Sequence, residues 1–538
     1  MTEEITGPVA SPQNGRYAER GRTLSRRTVL QGAAGTLALP AIRALTGGLP
    51  ASRTVVARES GRRVGPPRHP TGTLRAAISA EPNFINPADA LELYEYAVVR
   101  SVYDGLTQWN TAYNKLEPAL AVSWGSNADA TEWEFHLRPD VKFQDGTPFN
   151  SAAVRRSIEE YIPNAWGVLY ANLKTIDDSH PLVLKVGFSE PSPDFGRNQT
   201  FVKVISPKLL KENAAAKRAV GTGAFEWVTW EHGRQINLRA NPNYWGKPEP
   251  YIRDLDLIIV QDETARVDGL VSGSLGLIME VDPHDIPSIR SDRKLALATS
   301  PTWEELNLTY RCDQPIVNDV RVRQAIAYGI NREAIVKDVL LGAGVVADSP
   351  LPYGTYGHIT PDIAYSSDPA KSRQHLKAAG YPKGISLNLA GASSLATIPL
   401  MGQAMVAMLA EAGITVNFEI MEAGVLVSDL LAPHPKHQLF IITYGWVNGG
   451  PFQFDVLNVL NHPQYKGAAL TKLIVASNST ADGPKRLKYL SDAQNLFMQQ
   501  LPHLPLYDAT DTDAFEANVH GYEVPRDAYQ PVFARTYL

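Results

Sequence analysis

The chain has 538 residues, 44% of them hydrophobic and 20% charged, with a formal net charge of −5. So long a soluble chain exceeds one core and implies two or three domains. Residues 1–57 hold seven Arg against three Glu, which leaves 44 basic and 53 acidic groups, a net of −9, in the rest; such a body excludes nucleic acid or an anionic membrane as the expected partner. The single cysteine, Cys312, excludes an intramolecular disulfide and any cysteine-based metal cluster.

In chain order, residues 1–22 are polar and aperiodic. Ser25 to Leu30, S-R-R-T-V-L, then lead into an apolar run of roughly fifteen residues, where a spanning helix needs about 20. Adjacent arginines before a weak Gly/Ala-rich run are the pattern of a twin-arginine export signal. Ala41, Ala44, Ala51 and Ala57 are small residues suited to precede a cleavage point, and the Pro/Arg-rich stretch to about residue 69 reads as a tether. No cysteine follows the apolar run, so a lipoprotein-type anchor is excluded.

From Gly72, T-L-R-A-A-I-S alternates as a strand, and a helix is expected over Tyr94 to Tyr103. In T-E-W-E-F-H-L-R, Trp133, Phe135 and Leu137 fall on one face and Glu132, Glu134 and His136 on the other, the pattern of a one-faced antiparallel strand. Asp145-Gly146 is a tight-turn pair. The glycines of V-G-T-G-A-F-E-W lack the third glycine of a dinucleotide fingerprint, since Glu226 stands there. Leu306, Leu308 and Tyr310 alternate with Asn307 and Thr309 as a half-buried strand, and Asn318 and Asp319 then cap a helix carrying Val322, Ala325, Ile326 and Ile330. Gly329 and Asn331 punctuate it, and a second helix carrying Ile335, Val336, Val339 and Leu340 is expected before Gly342 stops it. Beyond it, Asp368-Pro369 start a helix that Gly380 ends. Met401, Met405 and Met408 fall at helical spacing as core residues. Ile414, Val416, Phe418 and Ile420 alternate, and Gln438 to Trp446 is a buried strand. This βα alternation predicts a mostly parallel sheet covered on both faces.

Motifs for chemistry are absent from the sequence. There is no H-E-x-x-H, no G-x-S-x-G elbow and no G-x-x-x-x-G-K-[ST] loop, and Pro435 disfavours a regular helix joining His434 to His437. Asp178-Ser179-His180 holds triad residue types, but sequence neighbours cannot converge as a triad requires, and a turn is expected there. Cys312, at a strand exit, reads as an inert thiol. A secreted hydrolase using scattered carboxylates is the alternative to a binding function. No cofactor and no metal are expected.

Several blocks carry a resemblance. Leu116, Pro118, Leu120, Ala121 and Trp124 form L-x-P-x-L-A-x-x-W; a strand ending in Leu137-Arg138, the K-F-Q-D-G-T-P turn and a helix follow without gaps. V-G-T-G-A-F-E-W, then Asn241, Pro242, Tyr244 and Trp245, then D-V-R-V-R-Q-A-I-A-Y-G-I-N-R-E-A-I-V and a late H-G-Y-E-V complete the set. Over residues 70 to 538 the chain resembles family 5 of the extracytoplasmic solute-binding proteins, the dipeptide-, oligopeptide- and nickel-binding group.

The resemblance implies an α/β fold of the type II periplasmic-binding-protein kind, with two lobes, a hinge and an inserted subdomain. Residues 1–69 would be the twin-arginine signal and linker, 70–102, 206–304 and 506–538 the first lobe, 103–205 its insertion, and 305–505 the second lobe. It implies a monomeric, periplasmic or otherwise extracytoplasmic component of an ATP-driven importer, with permease and ATPase subunits as partners, that traps a peptide, opine, sugar or similar small solute.

The residues expected to line the pocket are Phe84, Tyr94, Trp303, Tyr310, Arg311, Tyr444, Trp446 and Asn448. Tyr444 and Trp446 end a strand at the edge where open α/β sheets place ligands. In peptide-binding relatives the loop after this tryptophan holds an aspartate for the ligand's ammonium group. Asn448 stands in that loop here, so either Asp455 or Glu304 substitutes, or the solute is uncharged or anionic.

Overall fold

The computed structural model describes residues 65–90, 92–393, 397–445, 449–451, 465, 467–527 and 531–538. The twin-arginine segment, Trp446, Asn448 and Asp455 lie outside the described residues.

The first predicted strand is β1 (Thr71–Ile78); its Leu74, Ala76 and Ile78 enter one core and Ala77 another, on opposite faces as strand geometry requires. The expected helix spans Leu93–Val102. A hairpin of β2 (Thr107–Trp109) and β3 (Leu116–Pro118) leads into an antiparallel sheet of β4 (Ala121–Ser126), β5 (Glu132–Leu137), β6 (Leu173–His180) and β7 (Val183–Phe188), in the order β4-β5-β7-β6. Trp133, Phe135 and Leu137 of β5 are buried, whereas Glu132 and His136 are exposed. Asp178 to His180 end β6 instead of forming a turn, and Asp178 pairs with Arg155 at 3.0 Å.

The K-F-Q-D-G-T-P turn holds the insertion to the rest. Gly146 takes φ 83°, and Asp145 accepts from the Thr147 N–H and from the Ser206 hydroxyl. The Gln144 amide donates to the Phe225 carbonyl (2.8 Å) while its oxygen accepts the Gly221 N–H (3.0 Å). A Cβ on Gly221 would lie 2.3 Å from the Val102 carbonyl oxygen. These glycines therefore serve a close backbone approach, not a phosphate.

The remaining strands are β8 (Phe225–Glu231), β9 (Gln235–Ala240), β10 (Ile252–Ile259), β11 (Leu277–Ile278), β12 (Leu295–Tyr310), β13 (Gly344–Val346), β14 (Ile385–Ala392), β15 (Ile414–Met421), β16 (Leu439–Gly445) and β17 (His503–Glu516). They form one sheet with β1, ordered β15-β14-β16-β12-β17-β11-β1-β10-β9-β8, with β13 on β17. The sheet is mixed, not mostly parallel. β14 runs parallel to β15 and β16, but β12 is antiparallel to both β16 and β17. The reason is that β12 and β17 carry the chain into and out of the second lobe and so run in opposite directions.

One core fills the inserted subdomain and one face of the first lobe. A second fills the other lobe and continues beneath the helices Glu263–Ser272 and Ile286–Ser291. Met401 and Met405 are buried in this second core and Met408 packs against it. Asp319 caps the helix Val320–Gly329 through the Arg321 N–H; Asn331 caps only one turn, Arg332–Ala334, before a π-helical turn over Ile335–Val339. Among the described residues no helix is long and apolar enough to cross a membrane, and no group of three His, Cys, Asp or Glu is placed to hold a metal.

Candidate functional site

The two lobes are joined side by side by β12 and β17. Their ladder runs regularly from Leu295↔Glu516 to Pro301↔Thr510, is interrupted, and resumes at Glu305↔Asp508. Such an irregularity re-aims side chains and bends the strand. It falls on Thr302, Trp303 and Glu304, where β16 ends with Gly445 opposite Glu304.

Trp303 fills the junction. Its ring meets Trp109 edge-on at 5.2 Å and Tyr113 at 5.8 Å, both from the hairpin region, and its backbone N–H donates to the Arg526 carbonyl at 2.7 Å. It is fully buried, and its indole Nε1 has no hydrogen-bond partner among the described residues.

Glu304 lies next to it and is half-buried. Its carboxyl is pushed up to about 8, first by burial and then by the negative charges of Asp511 and Glu280. Glu280 follows β11 with φ 59°; its own N–H donates to Asp513 Oδ1 at 2.8 Å, and it is 8% exposed. Glu92, at the start of the helix Leu93–Val102, is raised to about 7 by burial, Glu95 and Glu280. The Tyr94 hydroxyl is pushed up to about 12 by burial and the same three carboxylates, Glu92, Glu95 and Glu280. Carboxylates from four separate segments, Glu92 with Glu95, Glu280, Glu304 and Asp511, thus act on one another in one seam at the crossing. Glu280 is the group that links them: it acts on both Glu92 and Glu304.

Of the expected pocket residues, the structure brings Tyr94 to this seam. Phe84 lies beside it: its side chain is 46% exposed, and its N–H is held by Glu95 Oε1 at 3.1 Å. Trp303 adjoins the seam but is covered in this conformation. The backbone of Tyr444, next to last in β16, lies opposite Glu305. Tyr310 and Arg311 stand elsewhere. Tyr310 pairs with Leu439 at the far end of β12, six residues and roughly 20 Å from Glu304. It is buried in the second core, and burial pushes its hydroxyl far above the ordinary range. Arg311 uses four of its five N–H groups on Asp313 (2.9 Å twice) and on the carbonyls of Leu430 (2.9 Å) and Ala432 (2.8 Å). It holds the loop after the helix Ala423–Leu431.

Glu92, Glu280 and Asp511 were not anticipated from sequence. Asp511 alone has a signal, the run Y-D-A-T-D-T-D-A-F (507–515), which sets three aspartates in a strand otherwise buried. Cys312 is half-buried and burial pushes its thiol to about 11, as an inert cysteine requires. His437 is buried against Asp429 (2.6 Å) while His434 is exposed, so the two do not converge.

Residues 115–468 match the family model described as bacterial extracellular solute-binding proteins, family 5 Middle. The glutathione-binding protein GsiB of Escherichia coli (strain K12) is 25% identical over 478 residues, covering 84% of this chain and 92% of its own. Among solved structures, HbpA2 from Haemophilus parasuis superposes with a TM-score of 0.79 at 22% identity, covering 87% of this chain and 100% of its own. DppA from Helicobacter pylori, solved with the peptide STSA, gives 0.70 at 23% identity, covering 88% and 99%.

Proposed function

Because this chain belongs to family 5 of the bacterial extracellular solute-binding proteins, we propose that it captures a small solute bearing a positively charged group, such as the ammonium of a short peptide, in the acidic seam between its lobes. The lobes, divided at residues 304/305 and 505/506 with 103–205 inserted in the first, close on the solute by a hinge at the β12/β17 irregularity. The closed form then delivers it to the permease of an ATP-driven importer. Export by the twin-arginine route and a monomeric state complete the reading.

The observation that carries it is that, among the described residues, the charged groups that act on Glu304 and Glu92 are carboxylates, and that Glu280 acts on both. Grouped carboxylates of this kind are costly to bury unless a cation joins them. Two relatives are in keeping with this reading: one is named for glutathione and another is bound to the peptide STSA. The charge that the neutral Asn448 cannot supply thus comes from another part of the crossing.

The test is a panel of tri- and tetrapeptides, each with a free and an acetylated amino terminus, together with neutral sugars and opine-type acids. Free peptides should raise the melting temperature and be recovered intact, and acetylation should abolish the shift. Equal shifts with acetylated peptides, or shifts with sugars or acids alone, would remove the cationic reading. Turnover of any compound would remove the transport reading.

A further inference from the structure

Two Asp–Arg pairs, one on each lobe, meet across the gap between them. Asp194 and Arg197 stand at the start of the helix Phe195–Phe201, whose Phe195 and Phe201 belong to the first core. Asp482 and Arg486 stand at the start of the helix Pro484–Gln500, whose Leu490 and Phe497 belong to the second. Within each lobe the pairs are short, 2.8 Å for Arg197–Asp194 and 2.7 Å for Arg486–Asp482.

Across the lobes Arg486 grips Asp194 through two bonds, 2.7 and 3.1 Å, and Arg197 grips Asp482 through two more, 2.5 and 3.2 Å. The Tyr356 ring of the second lobe covers Arg197 at 3.9 Å and Arg486 at 5.4 Å, and its hydroxyl accepts the Gly483 N–H. Arg486 is 0% and Arg197 5% exposed. Burial alone would raise the Asp194 carboxyl, but Arg486 and Arg197 hold it below its ordinary range.

Breaking a buried ion pair usually strands a charge, which makes the contact hard to reverse. Here it does not. When the lobes part, Asp194 keeps Arg197 and Asp482 keeps Arg486, so two neutral pairs face water; when they meet, two opposed dipoles join through bidentate bonds. The contact is therefore strong when made and leaves no orphan charge when broken.

We propose that this quartet is a reversible clasp that sets the open-to-closed ratio of the solute-free protein, and through it the apparent affinity for solute, without touching the solute. The inference rests on the two-lobe reading above. A state-dependent contact remote from the ligand acts in this way because apparent affinity scales with the fraction already in the binding conformation.

The experiment uses the full chain without solute. With Cys312→Ser as background, spin labels go on Arg156→Cys, in the inserted subdomain, and Lys488→Cys, in the second lobe; both native side chains are exposed, at 52% and 73%. The distance distribution is measured by double electron–electron resonance in the parent, in Asp194→Asn with Asp482→Asn, and in Tyr356→Leu. The asparagine pair keeps side-chain shape and removes both cross-lobe ion pairs, so the ratio of long to short distances should rise roughly tenfold. Tyr356→Leu, which alters no charge, should move it the same way by less.

Two distances in the parent whose ratio neither variant changes would overturn the clasp and leave the hinge intact. A single distance in all three proteins would overturn the hinge and the clasp together.

Discussion

Gly449 stands against the face of Trp303, with φ 60° and a Cβ position 2.6 Å from the ring. The indole comes from the crossing strand β12 and the glycine from the segment that follows β16, so the contact ties the two together. No side chain fits between them.

Gly449→Ala should accordingly destabilise the protein by about 1–3 kcal/mol, through both the left-handed backbone and the clash. Chemical denaturation of the variant and of Gly449→Ala with Trp303→Leu checks it. The smaller side chain should recover part of the loss, so that the two changes are not additive.

Glu304→Gln should raise stability and lower affinity. In the folded protein the Glu304 carboxyl sits at about 8 against an ordinary 4.5, held there by burial and then by Asp511 and Glu280. A raised carboxyl contributes stability that is fully present below pH 4.5 and is lost as pH rises through about 8. The variant should therefore match the parent near pH 4 and exceed it at pH 9, by about 1–2 kcal/mol given the partial exposure of the group. In the same protein, binding of free-amine peptides should weaken by about tenfold or more. For the parent, calorimetry should show that affinity for such peptides grows from pH 6 to about pH 8, with a proton released on binding, and falls again above it as the peptide's own ammonium group loses its charge.

Arg311→Met should leave solute affinity unchanged while lowering stability by about 2–4 kcal/mol, because it deprives Asp313 and two carbonyls of their buried partner. Thermal melting with and without a binding peptide separates the two effects. A loss of affinity at unchanged stability would return Arg311 to the pocket.

Where local pattern and burial agree, the chain reads easily. The alternation of Trp133, Phe135 and Leu137, the caps at Asp319 and Asp368, and the spacing of Met401 and Met405 each give the element found. Strand direction did not read the same way. βα alternation marks β14, β15 and β16 as a parallel set, but that β12 and β17 flank them antiparallel is a property of how the lobes connect, carried by residues some two hundred positions apart. The pocket was legible only in part for the same reason. Tyr94 and Glu304 could be named singly as candidates, whereas Glu92, Glu280 and Asp511 stand out only when distant segments meet. Arg311 stands at the other end of β12 from Glu304, and a strand exit looks alike from sequence at either end of a sheet.

The partnership of β12 with β17, exemplified by Thr299 and Thr512 at a separation of 213 residues, bears on when the protein can become itself. β11 also needs β17, so the amino-terminal half leaves the ribosome lacking the ribbon that completes its sheet. Until β17 has been synthesised, the nascent molecule carries an unpaired edge that invites aggregation and chaperone attention. Truncation of even the last forty residues would thus disable the half of the molecule made first.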